Sequence, residues 1–106
     1  MVFTASHACY AKAVVDYLDP EGKYISEWYS REDCLRTEGF YVKDLRIVDR
    51  KLSNILLIDN VHFSLIEAAY SYCMQLDNGV PIVPFYDNKA DLELKNLVPY
   101  LKSFEK

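Results

Sequence analysis

The sequence predicts an α/β domain built on a parallel sheet, and three observations carry that prediction. Ile55-Leu56-Leu57-Ile58 is an unbroken apolar run of strand length, the pattern of a strand covered on both faces. Val80 to Phe85 is a second buried-type run. Stretches of helical period separate the β-prone runs along the chain, the order that winds helices over a parallel sheet.

The elements follow in order. Met1 to Thr4 is a short β-prone run. Ala5 to Leu18 predicts a helix, with Ser6 as N-cap and Tyr10, Ala13, Val14, Tyr17 and Leu18 on one face. Asp19-Pro20-Glu21-Gly22 is a turn that ends it. Tyr24 to Tyr29, rich in aromatic and β-branched residues, predicts a strand, and Phe40 to Lys43 a second short one. Asp44 to Lys51 predicts a helical turn with Leu45, Val48 and Leu52 inward. After the central apolar run, Phe63 to Gln75 has the spacing of a helix, and Asp77-Asn78-Gly79 is a turn. Pro81 and Pro84 limit the Val80 to Phe85 strand to an edge or a short length. Asp91 to Phe104 predicts an amphipathic helix in which Pro99 makes a kink or begins a new turn.

A chain of 106 residues is one small domain, and 51% apolar with 26% charged residues is a globular composition. The formal net charge of -4 argues against sequence-independent nucleic-acid binding, which needs a basic face. The apolar runs are too short to span a bilayer, and the N-terminus lacks the order of a signal peptide. Cys9, Cys34 and Cys73 are odd in number and widely spaced, with no CxxC and no metal-type cluster with His7 or His62. Free thiols in a reducing nuclear or cytoplasmic setting are the expectation.

Ligands of open parallel sheets bind beyond the carboxyl ends of the strands. Thr4 and Ser6 fall at such an end, where a hydroxyl and helix-start N–H groups suit a phosphate oxygen; an ordinary N-cap is the plainer reading. Asp59-Asn60 ends the most apolar run, and two oxygen-bearing side chains there suit Mg²⁺ or merely a turn. Lys43 is placed to neutralise phosphate charge, or is a surface lysine. His62, near the proposed metal position, is a ligand or simply a packed or solvated imidazole. Trp28, Tyr24 and Tyr29 line a peptide groove or pack a small sheet.

The ordered set is more specific than its members. Val2-Phe3-Thr4-Ala5-Ser6, Arg31-Glu32-Asp33-Cys34, Tyr41-Val42-Lys43-Asp44-Leu45, Leu57-Ile58-Asp59-Asn60 and Asp77-Asn78-Gly79-Val80-Pro81 occur in that sequence along nearly the whole chain. The string resembles the haloacid-dehalogenase-type phosphatases that act on the C-terminal domain of RNA polymerase II, in particular the small C-terminal-domain phosphatases and their Dullard-like, NLI-interacting-factor-like relatives. The resemblance implies a three-layer, Rossmann-like parallel sheet with a small β insert over about residues 20–42. It implies a protein serine/threonine phosphatase that uses Mg²⁺ and an aspartyl-phosphate intermediate, with a phosphoprotein or phosphopeptide as partner. By position, Thr4 and Lys43 would hold the phosphoryl group, Lys43 and Asp59 would be catalytic, Asn60 and Asp59 would serve the metal, and Arg31 would lie near the peptide.

The same resemblance exposes a gap. The family's Asp-x-Asp-x-Thr motif, which carries the nucleophile and the acid–base, occurs nowhere in these residues, and the sequence opens on the strand that follows it. By family likeness the motif's strand sits mid-sheet, between Met1–Thr4 and Ile55–Ile58. The expectation is a partial domain over 1–106 without that strand, inactive alone and a weak Mg²⁺ binder. Either the flanking strands close up, or a second copy or a partner chain fills the gap. The segment after Asn60 also departs from the family pattern. Three readings stand: a phosphatase whose front half lies outside this chain, a catalytically dead module that binds phosphopeptides, and an interaction helix at Phe63 to Gln75 presenting Tyr70, Tyr72 and Met74.

Overall fold

A computed structural model describes residues 1–60 and 71–104. Its elements are β1 (Val2–Phe3), α1 (Ala8–Leu18), β2 (Trp28–Tyr29), β3 (Leu35–Thr37), β4 (Phe40–Lys43), β5 (Leu57–Asp59), β6 (Ser71–Cys73), β7 (Gly79–Pro81) and α2 (Glu93–Lys102). Short 3₁₀ turns join several of them. The result is a mixed α/β domain with parallel strands. β1 pairs parallel with β2, β4 with β6, and β5 with β7, while β3 and β4 form an antiparallel hairpin.

The hairpin turns through Gly39, whose φ of +78° is a left-handed conformation that favours glycine. Asp19, itself buried, closes the α1 exit: its carboxylate accepts N–H bonds from Lys23, Tyr24 and Ile25 at 2.7–2.9 Å. Those bonds, Ile25 first, hold its carboxyl below the usual range against the opposing effect of burial. The core gathers Leu45, Val48, Ile55 and Cys73, with Phe3, Tyr29 and Leu57 packed against them. Tyr29 therefore packs, its ring 5.4 Å from that of Phe3, while Tyr24 faces solvent.

Several expectations are corrected. Helix α1 begins at Ala8 with His7, not Ser6, as N-cap, and its buried residues are Ala11 and Val15. The predicted face of Tyr10, Val14, Tyr17 and Leu18 is exposed instead. Apolar residues occupy two sides of this helix, and the side with the smaller residues is the one buried. The strand expected over Tyr24 to Tyr29 shortens to two residues because Asp19 holds the Lys23–Ile25 backbone in a loop. Leu45 and Val48 point inward as expected, but Leu52 is exposed. Of the helix expected over Phe63 to Gln75, residues 63–70 lie outside the described residues. Ser71–Cys73 is a strand, because its backbone completes the ladder of β4 in the register Tyr41↔Ser71, Val42↔Tyr72, Lys43↔Cys73. Its sequence, Ser-Tyr-Cys, has no period long enough to reveal that. Tyr72 packs edge-on against Phe40, and Met74 hydrogen-bonds from its N–H to the Lys43 carbonyl, so neither serves a helical partner face.

The apolar run yields a strand at Leu57–Asp59 whose residues are half-buried, not buried on both faces, and Leu56 is exposed. Strand β7 ends at Pro81, leaving Val83 and Phe85 exposed. Helix α2 runs through Pro99 and has no buried residue. Among the described residues no strand pairs β1 with β5. A pocket separates them, walled by Met1–Phe3 on one side and Ile55–Leu57 on the other, with Tyr29, Leu45 and Val48 as its floor.

Candidate functional site

Lys43 ends β4 and Asp59 ends β5, so backbone pairing sets both side chains at the carboxyl ends of parallel strands. They meet there: Lys43 Nζ donates to Asp59 Oδ2 at 2.7 Å, with side chains only 9% and 11% exposed. Lys43 is thus no surface lysine. Its strand end is fixed from behind. The Met74 N–H donates to the Lys43 carbonyl, and Gln75 bridges Asp44 Oδ1 and the Leu45 N–H, both at 2.8 Å. The Arg46 guanidinium grips Asp44 through both carboxylate oxygens and holds its carboxyl far below the usual range; burial opposes this and the Gln75 amide reinforces it.

Asn60 follows Asp59 into a pocket that both share with Lys43, Phe3, Ile58 and Asp91. Thr4 does not line this pocket but follows Phe3, which does. Its Oγ1 accepts the Ser6 N–H at 3.1 Å, within the loop from β1 to α1. Cys34 stands between the Thr4 loop and the insert, its thiol directed at the Ser30 carbonyl 3.6 Å away. Burial pushes that thiol up while Lys43 and Arg31 pull it down, so it stays protonated at neutral pH.

Arg31 belongs to the turn after β2. Its Nε donates to the Ala5 carbonyl at 2.7 Å, its terminal nitrogen meets His7 Nε2 at 2.8 Å, and its guanidinium lies over the Tyr41 ring, 4.6 Å from the centroid. Tyr41 and Lys43 are two residues apart on β4 and therefore share a face. Arg31 and Lys43 accordingly address the same side of the sheet. Glu32 makes no direct pair with this cation, and lies 3.6 Å from the other ring nitrogen of His7. It accepts from Ser30 Oγ and the Ala8 N–H, and these donors, Ser30 first, lower its carboxyl.

The five residues singled out from sequence thus divide. Lys43, Asp59 and Asn60 converge on one pocket, Thr4 is held in the β1–α1 loop next to Phe3 of its wall, and Arg31 stacks on Tyr41, two residues before Lys43 on β4. Sequence reasoning missed Phe3 and Asp91 in the pocket wall, and it missed Arg36, which also reaches the Tyr41 ring at 5.9 Å. The alternation Tyr41-Val42-Lys43 was the available signal for Tyr41; Asp91 gave none, since its carboxylate also accepts the Glu93 N–H that opens α2. His62 lies outside the described residues.

The residues present do not make a magnesium site by themselves. Mg²⁺ needs about six oxygens in octahedral array. Here one oxygen of Asp59 is engaged by Lys43, and among the described residues no three His, Cys, Asp or Glu side chains cluster.

The NLI interacting factor-like phosphatase model matches residues 1–106. The chain belongs to that family. Human carboxy-terminal domain RNA polymerase II polypeptide A small phosphatase 1 is 37% identical over 106 residues, covering 100% of this chain and 38% of that protein. The CTD small phosphatase-like protein 3 of Caenorhabditis elegans is 38% identical over 97% of the chain and 33% of its own length. CTD small phosphatase-like protein 2 of Dictyostelium discoideum is 36% identical over 97% of the chain and 17% of its own length. The chain therefore spans well under half the length of these relatives. The family assignment accounts for the ordered blocks. Among the described residues, no helix is long and apolar enough to cross a membrane.

Proposed function

We propose that these 106 residues form the phosphate-holding part of a protein serine/threonine phosphatase site of the haloacid-dehalogenase type. The observation that carries the reading is the buried Lys43–Asp59 pair at 2.7 Å, set beside Asn60 at parallel strand ends in a family of phosphatases. Lys43 would balance the charge of a bound phosphoryl group, Thr4 would donate its hydroxyl to it, and Arg31 would face the peptide. Asp59 would hold Lys43 in place. Asp59 and Asn60 would supply part of a Mg²⁺ shell, its remaining ligands coming from outside these residues. The small C-terminal-domain phosphatases named above make a phosphoprotein the expected substrate class, with a nuclear or cytoplasmic setting.

In the reaction class, the phosphorus–oxygen bond to the seryl or threonyl oxygen breaks as an aspartate carboxylate takes the phosphoryl group. The leaving oxygen takes a proton from the acid, and water later releases phosphate. Neither of the two aspartates that do this work is present in the sequence as an Asp-x-Asp-x-Thr motif. The family likeness implies one more strand, from a second copy or a partner chain, unless β1 and β5 close up on each other; the pocket between them, about 50 Å³, is too small to receive a strand unless they move apart. The 106-residue chain should accordingly show no turnover of para-nitrophenyl phosphate with Mg²⁺. Turnover that disappears in Lys43→Ala and Asp59→Ala would overturn the claim of inactivity. Light scattering distinguishes a lone monomer from an assembly that fills the cleft.

A second reading is a binding module that holds phosphopeptides without hydrolysing them. Arg31, fixed over Tyr41 on the face that Lys43 shares, favours it. Binding of a phosphoserine peptide without release of phosphate, even after the cleft is filled, would select it.

A further inference from the structure

The arginines of this chain fall into two kinds. Arg46 and Arg50 reach carboxylates, those of Asp44 at 2.7 Å and Glu27 at 4.0 Å. Arg31 and Arg36 make no ion pair among the described residues, and both guanidiniums converge on the ring of Tyr41, 4.6 and 5.9 Å from its centroid. The convergence is built by the hairpin. Arg36 is the direct cross-strand partner of Tyr41, and such partners project from the same face. Arg31 arrives from the turn after β2, with its Nε anchored on the Ala5 carbonyl. Neither nearby acid pairs directly with these arginines: Glu32 takes Ser30 Oγ and the Ala8 N–H and lies 3.6 Å from His7, and Asp33 takes the Ser30 N–H at 2.9 Å. Two guanidiniums without an ion pair among the described residues thus share one half-buried ring in a chain of net charge -4.

We propose that Arg31 and Arg36, braced on Tyr41, read a second negative charge on the peptide, so that the preferred ligand is a phosphopeptide with an acidic group near its phosphorylated residue. The inference rests on Lys43 as the phosphate-holding group. Tyr41 lies two residues before Lys43 on β4, about 7 Å away along the strand, and Arg36 stands beside Tyr41 on β3. An extended peptide advances about 3.3 Å per residue. The second charge therefore falls about two to three residues from the phosphorylated one. Lys43 is taken up by the phosphorylated residue itself at the end of β4, so the second charge falls to the arginines two residues back. The planar guanidinium suits either source of the charge, a carboxylate or another phosphate.

The test uses the 106-residue chain and three labelled phosphoserine peptides: one with alanine flanks, one with glutamates two and three residues away on either side, and one with a second phosphoserine there. Fluorescence anisotropy at low salt reads their affinities. The glutamate peptide should bind about fivefold more tightly than the alanine peptide, and the doubly phosphorylated peptide at least as tightly. Arg36→Gln is exposed and leaves the pocket intact, so it should erase that gain while the alanine peptide binds unchanged. A gain that survives Arg36→Gln, or no gain in the wild type, overturns the inference even while inorganic phosphate still displaces the alanine peptide. If inorganic phosphate fails to displace that peptide, the phosphate-holding reading falls and takes this inference with it.

Discussion

Replacing Lys43 by methionine removes one charge from a pair that water hardly reaches. The ammonium and carboxylate are 2.7 Å apart, with 9% and 11% of their side chains exposed. At an effective dielectric of about 20, two unit charges at that distance attract by about 6 kcal/mol before desolvation. Desolvation of both ions cancels much of that, but cutting one partner away leaves the other charge buried, which costs about 3 kcal/mol at the lower end of the known range. The lower end applies because Asp59 has a further interaction and some residual exposure. Asp59→Leu should cost about the same. The double variant should cost about as much as either single one, which makes the coupling energy about 3 kcal/mol. For a domain of this size, whose total stability sits near the bottom of the range of about 5–15 kcal/mol, each single change would remove about half. Urea unfolding followed by the fluorescence of Trp28, the sole tryptophan, measures all four corners of the cycle. Single variants that each cost under about 1 kcal/mol, or whose costs simply add, would refute the claim that the pair is desolvated and coupled.

Further outcomes follow from other parts of the fold. Gly39→Ala has open space around its new Cβ but inherits a φ of +78°, so it should destabilise by about 1 kcal/mol in the same urea assay; no loss would mean that the hairpin turn relaxes freely. Asp44 and Asp19 both have carboxyls lowered by their partners, the first chiefly by Arg46 and the second chiefly by the Ile25 N–H. A lowered carboxyl adds stability that is fully present above the unfolded value of about 4 and is lost as pH falls toward the folded value. The urea midpoint should therefore stay level from neutral pH to about 5 and fall below about 4, with a shallower fall in Asp44→Asn. A midpoint that falls already between pH 7 and 5, or an unchanged acid limb in Asp44→Asn, would contradict this assignment.

Much of the site was legible before any coordinates because its chemistry lies in short blocks. Tyr41-Val42-Lys43-Asp44-Leu45 and Leu57-Ile58-Asp59-Asn60 place a cation and an acid at two strand ends, and Lys43 and Asp59 do meet. The interior of the chain was harder. Ser71–Cys73 became a strand because β4 offered a free ladder, a non-local cause that no local period records. On α1 both sides are apolar, so the period left the buried side open, and only the tertiary structure shows it to be that of Ala11 and Val15. Arg36 looked like any exposed arginine until the register of the hairpin set it opposite Tyr41.

By itself the sequence determined the α/β class, the family, the absence of the aspartate motif within these residues, and the candidate groups Thr4, Arg31, Lys43, Asp59 and Asn60. These follow from residue identity and spacing along one strand or turn. Tertiary structure alone decided that Lys43 is buried against Asp59, that Arg31 and Arg36 share one ring, and that an apolar cleft separates β1 from β5. The physical reason is that burial, cation stacking and strand pairing join residues far apart in sequence: the hairpin register sets Arg36 on Tyr41, while Lys43 and Asp59, on strands that do not pair with each other, meet through side-chain packing.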